Sequence, residues 1–232
     1  MATINATTSQ GGYLDNQRAA SLFSWSDVIS GGAGNATLSD VNGTYIYSRA
    51  RYQGGRSAYW LCSRGYLVFD TSVITGTLTA LSLNIYVESV LDLNYTPDAI
   101  VQLTSSPTLT TALLTSDWQY INGNVASSSF SSAGFTWETI TLNGNAISVA
   151  ETENEMTLQI RDAFYDYYYS VYTTSPSADG YLEYRYNYSG FIPYLDYTMI
   201  TGYGQTVNGV IAANMSTVDG TAKASISKVL GV

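Results

Sequence analysis

The sequence predicts an all-β fold, namely an antiparallel β-sandwich of the jelly-roll kind with an extended C-terminal arm. Three observations support this prediction. Short apolar or alternating segments recur along the chain, clusters of Gly, Asn, Ser and Pro separate them, and helical periodicity is rare. The chain has 232 residues, 45% of them hydrophobic, and is therefore long enough to bury a substantial core.

The strands are predicted from apolar runs and from alternation. Residues 65–70 (GYLVFD) form a compact apolar strand in which Leu67 and Phe69 share the buried face. Residues 80–88 alternate, which is typical of a half-buried strand. Its buried side chains are Leu81, Leu83, Ile85 and Val87. Further strands are predicted over residues 99–104, 137–142, 155–161 (with Met156, Leu158 and Ile160 facing inward), 180–186 and 193–199.

Two segments are predicted to lie outside the strands. Residues 27–44 (DVISGGAGNATLSDVNGT) are rich in glycine, so we expect a long surface loop with a hairpin turn at Asn42 and Gly43. Residues 143–150 carry small and apolar side chains without a helix breaker, which indicates a short helix.

Composition and charge narrow the class of protein. Charged residues make up 12% of the chain and the net charge is -9, which argues against a nucleic-acid partner.

No apolar run reaches the roughly 20 residues of a membrane-spanning helix, and the N-terminus lacks the features of a signal peptide. We therefore expect no membrane partner. A surface of Ser, Thr, Asn and Tyr is typical of secreted, virion and polymeric proteins.

The sequence favours a protein without catalytic activity. The chain has no histidine, which removes Ser-His-Asp triads and histidine metal sites. Its single cysteine, Cys62, lies in a predicted strand, and we interpret it as a buried, inert thiol. No motif selects a pair of carboxylates for glycoside hydrolysis. We expect no catalytic residue and no cofactor.

A cation site is also not expected. Asp162, Asp166 and Asp179 lie close together in the sequence, but their spacing matches no calcium loop. We interpret these three side chains as solvated loop carboxylates and predict no metal site.

Tyrosine is concentrated near the end of the predicted sandwich. Eleven of the 21 tyrosines lie between residues 165 and 197. Residues 163–172 are interpreted as a strand with rings on both faces, one of which must meet solvent, a ligand or a neighbour. This surface is predicted to be a subunit interface, with a glycan site and an ordinary cross-strand ladder as alternatives. Its residues are Tyr165, Tyr167, Tyr168, Tyr169, Tyr172, Tyr184, Tyr186 and Tyr188.

The last 26 residues contain a repeat with a period of eleven. Each unit is predicted to be a short extended piece followed by a turn, and such an arm cannot bury a core by itself. A neighbouring subunit is the natural surface for it, and an unattached tail is the alternative. The predicted assembly-arm residues are Val207, Gly209, Val218, Gly220, Val229 and Gly231.

Several of these segments together resemble a known family. Residues 64–70 (RGYLVFD), 71–74 (TSVI) and 79–87 (TALSLNIYV) resemble consecutive strands of the DNRLRE-type β-sandwich, which is similar to carbohydrate-binding family 96. The resemblance covers residues 13–199 and implies a β-sandwich fold. Thr139 stands where the family usually has Asp, and the Tyr-rich segment replaces the family's usual stretch before the closing strand. Later matching segments are residues 134–137, 154–160 and 192–197.

The ending of the chain resembles the tandem tails of phage structural proteins. We therefore predict an N-terminal segment (1–12), a β-sandwich (13–199) and a C-terminal arm (200–232). The predicted function is that of a non-enzymatic virion protein, either a capsid decoration or cement protein or a subunit of a head or tail appendage. Its partners would be other copies of itself and capsid or tail proteins. The alternatives are a carbohydrate-binding adhesin that recognises host glycans and the subunit of an extracellular filament.

Overall fold

The computed structural model describes residues 2–31, 34–119, 124–168, 170, 178–200, 217–218 and 221–222. It confirms the prediction of an all-β fold, since about half of the described chain belongs to antiparallel strands that form an open, sandwich-like sheet. The strands are β1 (Ala2–Asn5), β2 (Gly12–Ala19), β3 (Leu38–Val41), β4 (Tyr45–Gln53), β5 (Tyr59–Asp70), β6 (Leu78–Leu93), β7 (Ala99–Thr104), β8 (Thr136–Thr141), β9 (Glu155–Asp162), β10 (Ala178–Arg185), β11 (Tyr194–Met199), β12 (Thr217–Val218) and β13 (Thr221–Ala222). The helices are α1 (Trp25–Ser30), α2 (Gly144–Thr152), a 3-10 helix (Thr115–Gln119) and a π-helical turn (Ala163–Tyr167).

Two long strands connect the layers of the sandwich. One edge of β5 pairs with β2, whereas its other edge pairs first with β4 and then with β9. Strand β6 pairs with β11 and β8 near its beginning and with β10 near its end. Because β5 and β6 each change neighbours along their length, the sheet bends around a core instead of lying flat.

The main core forms where β6 faces β7 and β9. Leu81, Leu83, Ile85 and Val87 of β6 are all buried there, as their alternation predicts. The inward side chains of β9 are also confirmed, and they are Met156, Leu158 and Ile160. Helix α2 closes this core and confirms the predicted short helix. Its N-cap is Asn143, whose side chain accepts the backbone N–H groups of residues 145 and 146.

A second core lies under α1, where the sequence predicted a loop. Val28 and Ile29 of α1 are buried against β2 and β5, so burial of two apolar side chains offsets the low helix propensity of this glycine-rich segment. Ser24 and Asp27 form a capping box, and Gly31 ends the helix with φ 82°. The predicted loop over residues 27–44 is therefore wrong for α1 and for β3.

The predicted hairpin at Asn42 and Gly43 is also wrong. Asn42 has a left-handed φ of 62°, which fits a bend between β3 and β4. However, β3 pairs with β2, whereas β4 pairs with β5 and β10. The bend therefore carries the chain from one position in the sheet to another.

Strand β5 is buried on both faces. Leu67 and Phe69 lie in the main core as predicted, but Tyr66 is equally buried and packs in the second core. Gly65 marks a close approach, because a Cβ atom there would lie 3.0 Å from Cδ1 of Ile46. Cys62 is fully buried as predicted, and burial raises the pKa of its thiol well above the usual value.

Short strands lie near both ends of the described chain. Strand β1 pairs with β11, and β2 begins at Gly12, so residues 2–5 and 12 contribute to the same sheet as the predicted sandwich. In the C-terminal arm, β12 and β13 pair antiparallel with Val218 opposite Thr221. The remaining predicted arm residues lie outside the described residues: Val207, Gly209, Gly220, Val229 and Gly231.

Candidate functional site

The segment that begins the Tyr-rich region is not a strand. Residues 163–167 form a single π-helical turn, and the Asp162 carboxylate accepts the backbone N–H of Tyr165 at 2.7 Å at its start. This local hydrogen bond favours a turn over strand pairing. Tyr165 and Tyr167 are half-buried and Tyr168 is exposed. The predicted site residues Tyr169 and Tyr172 lie outside the described residues.

Two of the predicted surface tyrosines lie in the core. Tyr184 and Tyr186 are fully buried in the main core. The hydroxyl groups of Tyr184 and Ser48 are hydrogen bonded at 2.8 Å, and the Tyr186 hydroxyl donates to the carbonyl of Thr7 at 3.2 Å. Burial removes both rings from any surface of this chain: Tyr184 occupies an inward position of β10, and Tyr186 directly follows the end of that strand. Tyr188, by contrast, is 47% exposed.

A different set of rings forms a surface on the outer face of the sheet. Trp137 of β8 is 38% exposed and stands opposite Tyr86 of β6, with ring centroids 5.8 Å apart. Phe191 packs against both, and its ring is nearly parallel to that of Trp137, at 11° and 6.2 Å. Tyr188 and Tyr194 complete the group at 5.9 Å from Phe191 and 5.5 Å from Trp137. We call these five residues the aromatic patch.

An ion pair borders the aromatic patch. Arg185 donates through Nε and Nη2 to the carboxylate of Glu88 at 2.6 and 2.7 Å. The same guanidinium lies 4.1 Å from the ring centroid of Tyr188 and 5.0 Å from that of Phe191. These contacts raise the pKa of Arg185 and lower that of Glu88. The charges therefore neutralise each other beside the rings.

The outer face continues as a second row of rings across β2, β4 and β10. Tyr47 makes edge-to-face contacts with Tyr13 at 5.0 Å and with Tyr181 at 5.9 Å. Its hydroxyl donates to Glu183 at 2.6 Å, and burial together with this carboxylate raises the pKa of Tyr47. Burial, assisted by nearby carboxylates, also raises the pKa of Tyr13 to about 12. Tyr13 and Tyr47 are therefore protonated at neutral pH and can donate hydrogen bonds.

Beneath the sheet lies a buried ion cluster. Asp166 accepts from Nε and Nη2 of Arg64 at 2.8 and 2.7 Å, and from Nε and Nη2 of Arg161 at 3.0 and 2.7 Å. All three side chains are at most 1% exposed. Burial acts to raise the pKa of Asp166, but the two guanidinium groups outweigh it and hold that pKa well below its usual value. The Arg64 guanidinium also lies 3.8 Å from the ring centroid of Trp118.

Asp162 is a second buried carboxyl with a different environment. Burial raises its pKa to about 7. Tyr95 Oη lies 3.1 Å from Asp162 Oδ2, 2.9 Å from the carbonyl oxygen of Gly180 and 3.2 Å from that of Ala50. A phenol has one proton and can satisfy one of three acceptors. A proton on Asp162 lets the carboxyl donate to Tyr95 Oη, so the geometry agrees with the raised pKa.

The interpretation of these acidic residues as solvated carboxylates was wrong. Asp162 and Asp166 are fully buried, and Asp179 is 7% exposed and forms ion pairs with Arg49 and Arg51. Their carboxyl groups form ion pairs and hydrogen bonds within the fold. Within the described ranges no group of three or more Cys, Asp or Glu side chains is arranged to hold a metal ion.

Sequence reasoning missed the buried cluster and the aromatic patch. An available signal for the cluster was Arg64, a charged residue inside an otherwise apolar strand, because a buried charge requires a partner. The patch offered a weaker signal. Its rings come from three separate segments, residues 86, 137 and 188–194, and only the pairing of β6 with β8 and β11 brings them together.

The comparisons with known proteins do not supply a function. The chain matches no protein-family model, and no curated protein is similar to it at a significant level. The resemblance to the DNRLRE-type domain and to phage tail segments therefore stays a prediction. Among the described residues, no helix combines the length and apolar character that crossing a membrane requires.

Proposed function

We propose that the chain is a non-enzymatic structural subunit of a virion that assembles with other copies of itself through the aromatic patch. The observation that carries this proposal is the patch itself, five rings gathered on the outer face of β6, β8 and the segment leading into β11. Tyr, Trp and Phe are enriched at protein interfaces, where they dominate the binding energy.

The electrostatics of the patch favour a second copy as the occupant. The chain carries a net charge of -9, so two copies repel each other at long range. At the patch, however, Glu88 and Arg185 pair with each other. Two copies can therefore meet there without burying Glu88 as an unpaired carboxylate, whose desolvation would be costly.

Edge pairing offers a second contact beside the rings. Strand β8 pairs with β6, and in the described part of the chain no strand pairs with its other edge. A neighbouring segment can add to such an edge through backbone hydrogen bonds. In this proposal the C-terminal repeat supplies that segment, in which β12 and β13 pair antiparallel with each other.

The mass in solution of the full chain and of a chain that ends at Gly202 tests the role of the repeat. The proposal expects oligomers or filaments from the full chain and smaller species from the shortened one. If both are folded monomers at high concentration, self-assembly is excluded and the proposal fails.

One observation favours a second candidate, a glycan-binding module. The nearly parallel rings of Trp137 and Phe191 present flat apolar surfaces, and Asn84 beside them donates to Asp196 at 3.2 Å and accepts from Thr139 at 2.7 Å. Flat rings suit the apolar faces of sugars, and the Asp196 and Thr139 side chains, which are more accessible than the buried Asn84, suit their hydroxyl groups. A glycan array read with the wild type and with Trp137→Ala tests this candidate. It expects a monomer whose glycan signal disappears in the variant.

A further inference from the structure

Some arginines in the described part of the chain form ion pairs and others do not. Of the nine Lys and Arg residues, Lys223 and Lys228 lie outside the described residues, which leaves seven arginines. Five of these form ion pairs with Asp166, Asp179 or Glu88. The other two, Arg18 and Arg56, form no ion pair within the described part of this acidic chain.

These two arginines line the same groove. Arg18 lies near the end of β2, and Arg56 lies in the connection between β4 and β5. The groove between them has a volume of about 680 Å³, and its described lining contains no Asp or Glu. The polar side chains that line it beside the two guanidinium groups are Gln17, Ser21, Ser57 and Tyr59.

Arg18 is held in place by contacts of its guanidinium group, but one of its hydrogen-bond donors has no partner among the described residues. Its Nη2 donates to the carbonyl of Asn35 at 2.5 Å, and its guanidinium lies 5.8 Å from the ring centroid of Phe23. Its Nε, however, is buried without a hydrogen-bond partner among the described residues. A buried donor that lacks a partner is costly, so such a donor in a cationic groove indicates a position for an acceptor.

We propose that this groove is a binding site for an oxyanion carried by a small polar ligand. The guanidinium fork of arginine matches the oxygens of carboxylate, sulfate and phosphate groups. The hydroxyl groups of Ser21, Ser57 and Tyr59 and the amide of Gln17 supply donors for further oxygens of the ligand. The absence of acidic side chains from the described lining leaves the positive field of the two arginines uncompensated.

Titration calorimetry of the full chain with sodium sulfate, sodium phosphate and sodium citrate tests the proposal, with sodium chloride at matched ionic strength as the blank. We expect saturable binding of at least one anion. Stronger binding of citrate assigns the site to carboxylates, and stronger binding of sulfate or phosphate assigns it to tetrahedral oxyanions. Absence of saturable binding by all three overturns the proposal.

Two variants and one control locate the site. Arg56 is exposed and makes no hydrogen bond or ion pair in the described part of the chain, so Arg56→Gln keeps the fold while it removes a ligand contact. We expect it to weaken anion binding about tenfold or more, and Arg18→Gln to do the same. Asp92→Asn, at an exposed carboxylate outside the groove, should bind as the wild type does. Equal affinity of the wild type and Arg56→Gln would mean an adventitious ion only.

Discussion

The carboxylate of Asp166 holds the guanidinium of Arg64 by two hydrogen bonds of 2.7 and 2.8 Å, and neither side chain is accessible to solvent. Arg64 also donates to the carbonyls of Ile29 in α1 and Trp118 in the 3-10 helix, at 2.5 and 2.9 Å. One arginine of β5 thus fixes three segments that cover the second core. The segments are distant in sequence, so this contact organises the fold.

Removal of the charge of Asp166 should destabilise the fold strongly. Asp166→Asn leaves the positive charges of Arg64 and Arg161 buried without compensation, and we expect a loss of about 3–5 kcal/mol in the free energy of unfolding. Urea denaturation measures it. The control is Asp92→Asn, an exposed carboxylate that accepts a hydrogen bond from Thr96, and it should change stability by less than about 1 kcal/mol. Similar losses in the two variants would contradict the assigned role.

The stability of the protein should pass through a maximum near pH 4. The pKa of Asp162 is raised to about 7 in the folded chain, so the folded state binds a proton there that the unfolded state releases near pH 4. Stability therefore falls as the pH rises from about 4 to about 7, by up to about 1.4 kcal/mol per pH unit. The pKa of Asp166 is lowered, so its contribution is lost as the pH falls below about 4.

Asp162→Asn separates the two contributions. This variant should flatten the dependence between pH 4 and pH 7 and retain the loss of stability below pH 4. Denaturation midpoints at one-unit pH intervals measure both effects. An unchanged slope between pH 4 and pH 7 in the variant would show that Asp162 is not the titrating group.

Glycine is required at position 180 because a tyrosine ring covers it. A Cβ atom at Gly180 would lie 2.3 Å from Cζ of Tyr95, whose hydroxyl is fixed by the contacts with Ala50, Gly180 and Asp162. We expect Gly180→Ala to destabilise the fold by about 1–3 kcal/mol. Gly144→Ala in the first turn of α2 meets no atom within 4 Å and should be neutral or stabilising by up to about 1 kcal/mol. Thermal unfolding of the pair measures the contrast.

The tyrosines of β10 and of the surface should respond differently to truncation. Tyr184→Ala removes a fully buried ring and should cost about 3–5 kcal/mol. Tyr184→Phe should cost about 1–2 kcal/mol, because it leaves the buried Ser48 hydroxyl without its partner. Tyr188→Ala, at an exposed position, should cost less than about 1 kcal/mol. Chemical denaturation of the three variants gives the order, and a small loss in Tyr184→Ala would contradict its place in the core.

The sequence alone predicts which side chains are buried where the pattern within a single strand decides it. Alternation placed Leu81 to Val87 and Met156 to Ile160 on inward faces because period-two side chains follow directly from the strand backbone. It does not predict the secondary structure of segments whose conformation depends on tertiary contacts. The burial of Val28 and Ile29 converts part of a glycine-rich segment into α1, and the hydrogen bond from Tyr165 to Asp162 converts a tyrosine run into a π-helical turn.

The candidate site was less predictable from the sequence than the fold, because it also depends on tertiary contacts. Local composition pointed to the tyrosines around residue 170, whereas the aromatic patch depends on strand register. Trp137 meets Tyr86 only because β8 pairs with β6 in the observed register. The groove also depends on strand pairing. Arg18 and Arg56 are 38 residues apart in the sequence and line one groove because β2 lies beside β5.

The most direct test of assembly through the aromatic patch is sedimentation velocity over a range of concentrations, with circular dichroism to verify folding. Trp137→Ala combined with Phe191→Ala should weaken self-association at least tenfold, since these rings lie at the centre of the patch. Phe135→Ala removes a ring that is 74% exposed two residues away and should assemble as the wild type does. A folded double variant that associates as strongly as the wild type would contradict the proposed interface, and a wild type that stays monomeric throughout would contradict self-assembly.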